Sequence, residues 1–324
     1  MRYVLRRLLR ALVLLAATSI LCFVLTELAP GSYFDELRLN PQISPQTVAA
    51  LRAQYGLDRP LPERYARWLL SAACGEFGYS FSYNLPVRTL LLVRARNTLL
   101  LAGVATLLAW ALAIPLGVWA AVRRGGWPDR AMTAMTSFVL SVPEIAIALA
   151  ALGVAAHSGI LPVGGKTSVG FDDLSWFGKA VDLARHLVIP ASVLALGIVA
   201  VVLRHVRSSV GEVLDTSYIR AARGLGIRTP RLLFRHVLPA AAHTAISLFG
   251  LSIAALLSGS LAVEAITGWP GLGPLLLEAT IARDPYVIIG AVMLSATLVI
   301  LGTLLTDLLL LVADPRITLG GADA

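Results

Sequence analysis

The sequence has few charged residues and only two cysteines. Charged side chains make up 14% of its 324 residues, against about 25% in soluble domains, and the mean hydropathy is +0.78. These values exclude a soluble globular protein. The net charge of +8 is then more typical of attraction to anionic lipid than of nucleic-acid binding. Cys22 falls within an apolar run and Cys74 outside it, which argues against a disulfide between them.

Motifs for catalysis or cofactor binding are also missing. Neither HExxH nor GxSxG occurs. The segment 159–167, GILPVGGKT, is similar to a phosphate-binding loop, but Ile160 stands where that loop requires glycine. The five histidines are scattered without metal-ligand spacing. We therefore expect no catalytic residue, metal or cofactor in this chain.

Long hydrophobic runs are abundant instead. A membrane-spanning helix needs roughly 20 apolar residues, because hydrocarbon cannot satisfy backbone polar groups. The sequence predicts an all-α integral membrane protein with six spans, of which the fourth is the shortest. The spans are residues 8–28, 98–122, 131–156, 187–203, 244–263 and 287–313.

Arginine positions predict the orientation of these spans, since cations near span ends favour the cytoplasmic side. Arginines cluster in the N-terminal tail, in the segment 123–130 and in the segment 204–242. Both termini are therefore assigned to the cytoplasm, including the tail 314–324. The first run is long and lacks a small-residue cleavage site, so residues 1–28 are interpreted as a tail and a retained span rather than a cleaved signal.

Residues 29–97 are too long for a simple connection and predict a small extracytoplasmic cap. Ser44 and Pro45 at one end and Gly56 at the other frame one helix. A second helix is indicated by four residues at helical spacing: Tyr65, Trp68, Leu69 and Ala72. We favour packing of Tyr65 and Trp68 at the membrane interface over contact with a substrate.

A basic island interrupts the core 98–313, within the loop 208–242. Residues 215–239 carry five arginines and, after Asp215, no acidic residue. Gly224 and Gly226 are predicted to end one short helix. A second helix is predicted to begin with Thr229 as its cap and Pro230 in its first position.

This island resembles the EAA loop of ABC-importer permeases. The pattern of that loop is followed by RAARGLG (residues 220–226), then nine residues, then His236, Val237 and Leu238-Pro239. Two positions depart from it: Arg220 replaces its glutamate and His236 replaces its isoleucine. GLDRPL (56–61), GEFGYS (75–80), VEAITGWPGLG (263–273) and the terminal Asp314-Pro315-Arg316 are similar to the dipeptide, oligopeptide and nickel class. Together these motifs cover nearly the whole chain.

The resemblance implies a permease of the bacterial plasma (inner) membrane. It implies as partners a second similar permease, two cytoplasmic ATPase subunits or one fused ATPase, and an extracytoplasmic solute-binding protein; ATP and magnesium would be bound by the ATPases. The residues it assigns to ATPase coupling are Arg220, Ala221, Ala222, Gly224, Gly226, Leu238 and Pro239. For each arginine taken singly, a solvated basic loop is the simpler interpretation.

Acidic residues in or near the spans are candidates for function, because a charge in hydrocarbon is costly. Glu27, Glu264 and Asp307 lie near predicted span ends. An anchoring role explains them at least as well as a transport role does. Glu144 follows Pro143 halfway along the third span, at a predicted kink. It is predicted either to line a substrate pathway or to form a structural polar pair.

The sequence thus predicts an importer permease working by alternating access, with di- or oligopeptides as the leading substrates. Nickel or another small solute is the alternative, since the resemblance covers both. An ion-coupled secondary transporter would instead use groups such as Glu144 without an ATPase. An intramembrane hydrolase would need a catalytic pair that the sequence does not offer.

Overall fold

The computed structural model describes residues 2–38 and 44–313, and most of this chain is helical. The C-terminal tail and its Asp314-Pro315-Arg316 motif lie outside the described residues. The elements in chain order are α1 (Arg2–Leu28), α2 (Tyr33–Arg38), α3 (Pro45–Gln54), α4 (Leu61–Ala73), strands β1 (Tyr79–Ser80) and β2 (Leu85–Pro86), α5 (Val87–Val122), α6 (Trp127–Ser141), α7 (Glu144–Ser158), a 3₁₀ turn (Phe171–Asp173), α8 (Trp176–Leu214), α9 (Ser217–Gly224), α10 (Thr229–Leu232), a π-helical segment (Leu233–Val237), α11 (Leu238–Thr267), α12 (Leu272–Ile281) and α13 (Pro285–Ala313).

Within the described ranges, five helices are long and apolar enough to cross a membrane: α1, α5, α8, α11 and α13. The pair α6 and α7 gives a sixth span if the two bent helices are counted as one. The predicted all-helical, multi-pass fold is confirmed. The sequence did not predict α12, a shorter apolar helix between the last two long ones.

The third span is broken rather than kinked, which corrects the prediction of one continuous helix. The axes of α6 and α7 are bent by 100°. Val142 is extended (φ −100°, ψ 128°), the conformation that a following proline favours. Pro143 is the N-cap of α7, so its missing N–H costs no helical hydrogen bond. Glu144 is consequently the first residue of a helix and does not lie within one.

The fourth span was predicted as the shortest, and this was wrong, because α8 has 39 residues and is the longest described helix. Its polar ends, with Lys179 near the start and Arg207 near the finish, lie outside the hydrophobic run, but such residues are good helix formers. The Ser175 side chain caps the start by accepting the N–H of Gly178 at 3.2 Å. The helix therefore extends well beyond its apolar stretch at both ends.

The chain forms two compact units, and the first comprises residues up to Thr98 together with Pro270–Leu298. Its α3 begins at Pro45 as predicted, with the Ser44 Oγ accepting the N–H of Thr47 at 3.1 Å. Gly56, which follows α3, has φ +67°, a left-handed conformation that glycine adopts at no steric cost. Both helices predicted within residues 29–97 are present, as α3 and α4.

The aromatic residues of α4 pack onto α1. Trp68 is 5% exposed, donates its indole N–H to the Phe77 carbonyl at 3.2 Å and lies 6.0 Å from the Phe23 ring centroid. The Tyr65 hydroxyl shares a 2.9 Å hydrogen bond with Ser19. These contacts support the packing interpretation of Tyr65 and Trp68.

A buried carboxylate ties the strand pair to the start of α13. Asp284 is fully buried, and its Oδ2 accepts hydrogen bonds from the Ser80 hydroxyl at 2.7 Å and the Phe81 N–H at 2.7 Å. The Ser82 N–H and hydroxyl donate to the same oxygen at 3.1 and 3.2 Å. The hairpin and the α12–α13 connection are therefore fixed to one acceptor.

Tyr83 in the same hairpin donates its hydroxyl to Glu278, which also lies 3.7 Å from Arg94. Burial, with a further contribution from the Glu278 carboxylate, raises the pKa of Tyr83 to about 12. The phenol consequently stays protonated and remains a hydrogen-bond donor throughout the physiological range.

The second unit comprises Leu99–Trp269 and the part of α13 from Val299 onward. Small residues let its helices approach closely, as is typical of helix packing in membranes. A Cβ added to Gly117 of α5 would lie 2.9 Å from the Val206 side chain of α8. Buried alanines in the core around α8 include Ala109, Ala113 and Ala195.

Candidate functional site

The loop that joins α8 to α11 folds as two short helices. After α9, the Gly226 N–H donates to the Arg223 carbonyl at 2.9 Å and the Ile227 N–H donates to the Ala222 carbonyl at 3.3 Å. Gly226 has φ +80°. This pair of bonds around a left-handed glycine is a Schellman motif. The predicted turn at Gly226 is present, and Gly224 is the last residue of α9.

The second short helix starts one residue earlier than predicted. Arg228 is the N-cap of α10 and makes no side-chain cap hydrogen bond, while Thr229 is the first helical residue. The prediction that Thr229 caps this helix was therefore wrong. Pro230 does lie in the first turn, where its missing N–H is tolerated.

One face of the loop is buried in its own chain. Ile219, Leu232 and Val237 are at most 1% exposed and belong to the core cluster around α8. Ala222 is half-buried and packs against the same cluster, whereas Arg220 and Ala221 are exposed. The structure thus distinguishes two alanines that the sequence treats alike, because Ala221 is exposed and Ala222 is partly covered by its own chain.

The outer face carries apolar residues that sequence reasoning missed. Leu225 is 83% exposed, Phe234 75% and Tyr218 50%. Large apolar side chains exposed on one loop are typical of interaction sites. The sequence contains one signal for them: Leu225 stands between Gly224 and Gly226, in a turn where a polar residue is usual.

Leu238 and Pro239 are the first two residues of α11. Leu238 is half-buried and lines an apolar cavity of about 240 Å³ with Val206 and Ala241, among others. Pro239 is exposed. The structure therefore gives Leu238 a packing role beside α8.

Two ion pairs brace the helices that lead into the loop. Arg207 of α8 makes a bidentate ion pair with Asp129 of α6. Arg124 pairs with Asp215 at 2.8 Å. In contrast, the five arginines of the loop, Arg220, Arg223, Arg228, Arg231 and Arg235, are all exposed.

The break between α6 and α7 opens into a cavity of about 220 Å³. Glu144 contributes a carboxylate to this cavity, and the remaining lining residues come from α6, α7, α8 and α11, with the extended residue Val142 between α6 and α7. The Glu144 Oε2 lies 3.3 Å from the position that a Cβ would take on Gly259 of α11. Gly259 therefore leaves the room in which the carboxylate sits. The structure places Glu144, but not Pro143, among the residues that line this cavity. That the two residues line a substrate pathway stays a prediction.

The other acidic residues have different surroundings. Glu27 pairs with Arg64 at 2.9 Å, which supports the anchoring interpretation for that residue. Glu264 is fully buried near the end of α11. The side chain of Asp307 lies outside the described part of the structure.

The glycine-rich segment 159–167 has a structural explanation. Gly159 ends α7 in a left-handed conformation (φ 65°), and its N–H donates to the Ala155 carbonyl at 2.9 Å. The Gly165 N–H donates to the Gly268 carbonyl at 3.2 Å. Among the described residues, no group of three or more His, Cys, Asp and Glu side chains could hold a metal ion.

These features define the class: a multi-pass helical membrane protein with a helical loop exposed at one end of its core and a cavity between its helices. Comparison with known proteins identifies the family. Residues 113–319 match the family described as "Binding-protein-dependent transport system inner membrane component", and residues 1–102 match its N-terminal component. The chain belongs to this family of permease subunits.

Relatives of similar length agree with this assignment. A putative peptide permease protein of Brucella ovis is 38% identical, over 98% of this chain and 99% of the relative. The oligopeptide transport system permease AppB of Bacillus subtilis is 37% identical, over 97% and 98%. The dipeptide transport system permease DppB of Escherichia coli is 34% identical, over 98% of each chain. These comparisons confirm the predicted family.

A solved structure shows the same fold. The chain is similar to one in a structure titled "Inward facing conformations of the MetNI methionine ABC transporter", with a TM-score of 0.58 and 19% sequence identity. The similarity covers 69% of this chain and 96% of that one. At this identity the likeness concerns the fold alone.

Proposed function

We propose that this permease carries di- or oligopeptides inward through a pathway shared with a second, similar permease, driven by ATP hydrolysis on partner subunits. The exposed loop carries this proposal. Its apolar outer face, around Leu225, is suited to a groove on an ATPase, and its buried face joins it firmly to α8. The peptide substrate is supported by the names of the relatives, which are peptide, oligopeptide and dipeptide permeases.

Transport by the complete complex tests the proposal. The chain would be reconstituted in proteoliposomes with its partner permease, ATPase subunits and binding protein, and uptake of radiolabelled tri-alanine would be measured. We expect uptake that requires ATP. Uptake driven by a proton or sodium gradient without ATP would favour a secondary transporter. Uptake of Ni²⁺ but not of tri-alanine would identify nickel, rather than a peptide, as the substrate.

The proposed orientation places both termini and the loop in the cytoplasm and the first unit's α2–α4 outside. Cys74 is exposed at the end of α4, and Cys22 is half-buried in α1. An impermeant maleimide added to intact spheroplasts should therefore label Cys74 and leave Cys22 unmodified. Mass spectrometry of the extracted chain measures this.

A matched control places a cysteine on the opposite side. In a Cys22→Ser, Cys74→Ser background, Arg228→Cys is exposed in the loop and should be labelled only after the membrane is permeabilised. The reverse pattern, with Arg228→Cys labelled in intact spheroplasts and Cys74 only after lysis, would invert the topology.

A further inference from the structure

The cavity at the break of the third span combines one carboxylate with apolar walls. Its volume is about 220 Å³, and apart from Glu144 its lining consists of aliphatic residues and one glycine. Representative lining residues are Val142 at the break, Leu194 of α8 and Leu256 of α11. The cavity thus offers a ligand one charged contact and an otherwise hydrophobic surface.

The carboxylate of Glu144 has no cationic partner in the described part of the chain. No hydrogen bond or ion pair joins its side chain to a described residue, and the residue is half-buried. Glu144 lies in the first turn of the 15-residue helix α7, close to the positive end of the helix dipole. A carboxylate at membrane depth is costly unless it is paired, so a cation from outside this chain is the expected counterpart.

The walls restrict the chemistry of that cation. A divalent metal ion needs several oxygen, nitrogen or sulfur ligands, whereas these walls supply a single carboxylate. An ammonium group needs only a few acceptors, and an aliphatic side chain attached beside it would be matched by the apolar lining. The free amino terminus of a short peptide combines these two features.

We propose that this cavity is a subsite for the amino-terminal residue of a peptide, with Glu144 as the acceptor for its α-ammonium group. The proposal rests on the function proposed above and assigns one end of the substrate to a place in the pathway. Pockets for drug-sized ligands measure about 300–1,000 Å³, so this cavity takes one end of a peptide and leaves the rest outside. Recognition here is therefore independent of peptide length.

Protection of a cysteine in the cavity wall tests the subsite directly. Ala255 lines the cavity and is exposed to it, so Ala255→Cys in the Cys22→Ser, Cys74→Ser background supplies a reporter of nearly unchanged size. The complete complex would be treated with a methanethiosulfonate reagent, with and without millimolar tri-alanine or N-acetyl-tri-alanine. ATP-dependent uptake of tri-alanine by the same preparation reports separately on the proposed function.

We expect tri-alanine to slow the labelling of Ala255→Cys and N-acetyl-tri-alanine to do so about tenfold less effectively, since a charge-assisted hydrogen bond contributes a difference of about this size. Adding Glu144→Gln should abolish the difference between the two peptides. Equal protection by both peptides, or protection by neither while uptake persists, would overturn the subsite and leave the importer function intact. Loss of uptake in the unmodified complex would instead contradict the importer function itself.

Discussion

Replacing Asp284 by alanine is expected to destabilise the protein by about 3–5 kcal/mol, because several buried or partly buried donors lose their acceptor at about 1–3 kcal/mol for each that stays unpaired. The substitution leaves the Phe81 and Ser82 N–H groups and the Ser80 hydroxyl without their shared acceptor. A buried donor that loses its partner retains its full desolvation cost. Thermal unfolding of the detergent-extracted chain should show a midpoint lower by roughly 10 °C.

An exposed aspartate of the same unit provides the control. Asp58 has a side chain 59% exposed and lies 3.8 Å from Arg52, an arrangement that contributes little. Asp58→Ala should therefore leave the unfolding midpoint nearly unchanged. Asp284→Asn should fall between the two, because its amide oxygen can still accept some of these bonds. Equal midpoints for Asp284→Ala and Asp58→Ala would show that the hairpin does not depend on this carboxylate.

Replacing Leu225 by aspartate should abolish assembly with the ATPase while leaving the permease folded. Leu225 is 83% exposed in the isolated chain, so a carboxylate there is well solvated and tolerated. In a docked complex the same carboxylate would be buried without a partner, at a cost of several kcal/mol. Co-purification of the ATPase subunits and substrate-stimulated ATP hydrolysis measure this loss, with extraction yield as the check on folding.

Three further variants distinguish loss of docking from loss of folding. Arg228→Ala removes one exposed cation and should leave co-purification intact. Gly226→Val forces a β-branched residue into φ +80° and should weaken docking by distorting the turn. Ala222→Asp should reduce extraction yield as well, because Ala222 packs against the core of its own chain. Normal ATPase co-purification with Leu225→Asp would remove this loop face from the proposed interface.

Local signals in the sequence predicted much of the fold. The apolar runs located the long helices, and residues that act on their immediate neighbours, such as Ser44 and Gly226, marked helix ends where the structure has them. The loop was located in the same way. The burial pattern of the loop could not be predicted, because Ala221 and Ala222 differ only in how much the rest of the chain covers them.

Features that depend on distant residues could not be predicted. Nothing near Asp284 in the sequence indicates that it accepts hydrogen bonds from residues about 200 positions earlier. Pro143 predicted a disturbance of the third span, but its size of 100° depends on how the two halves pack. The cavity beside Glu144 is likewise assembled from α6, α7, α8 and α11, and its shape follows only from their arrangement.

The length of α8 has a mechanical consequence. At 1.5 Å per residue its 39 residues correspond to about 58 Å of straight helix, nearly twice the roughly 30 Å of a hydrocarbon core. Leu214 at the loop end lies about 30 Å along this axis from Leu194 in the cavity wall. If the helix pivots as a rigid lever near Leu194, a stroke of roughly 5 Å at the loop rotates the wall by about ten degrees. On this geometry a small displacement at the loop would become a change of shape in the cavity wall.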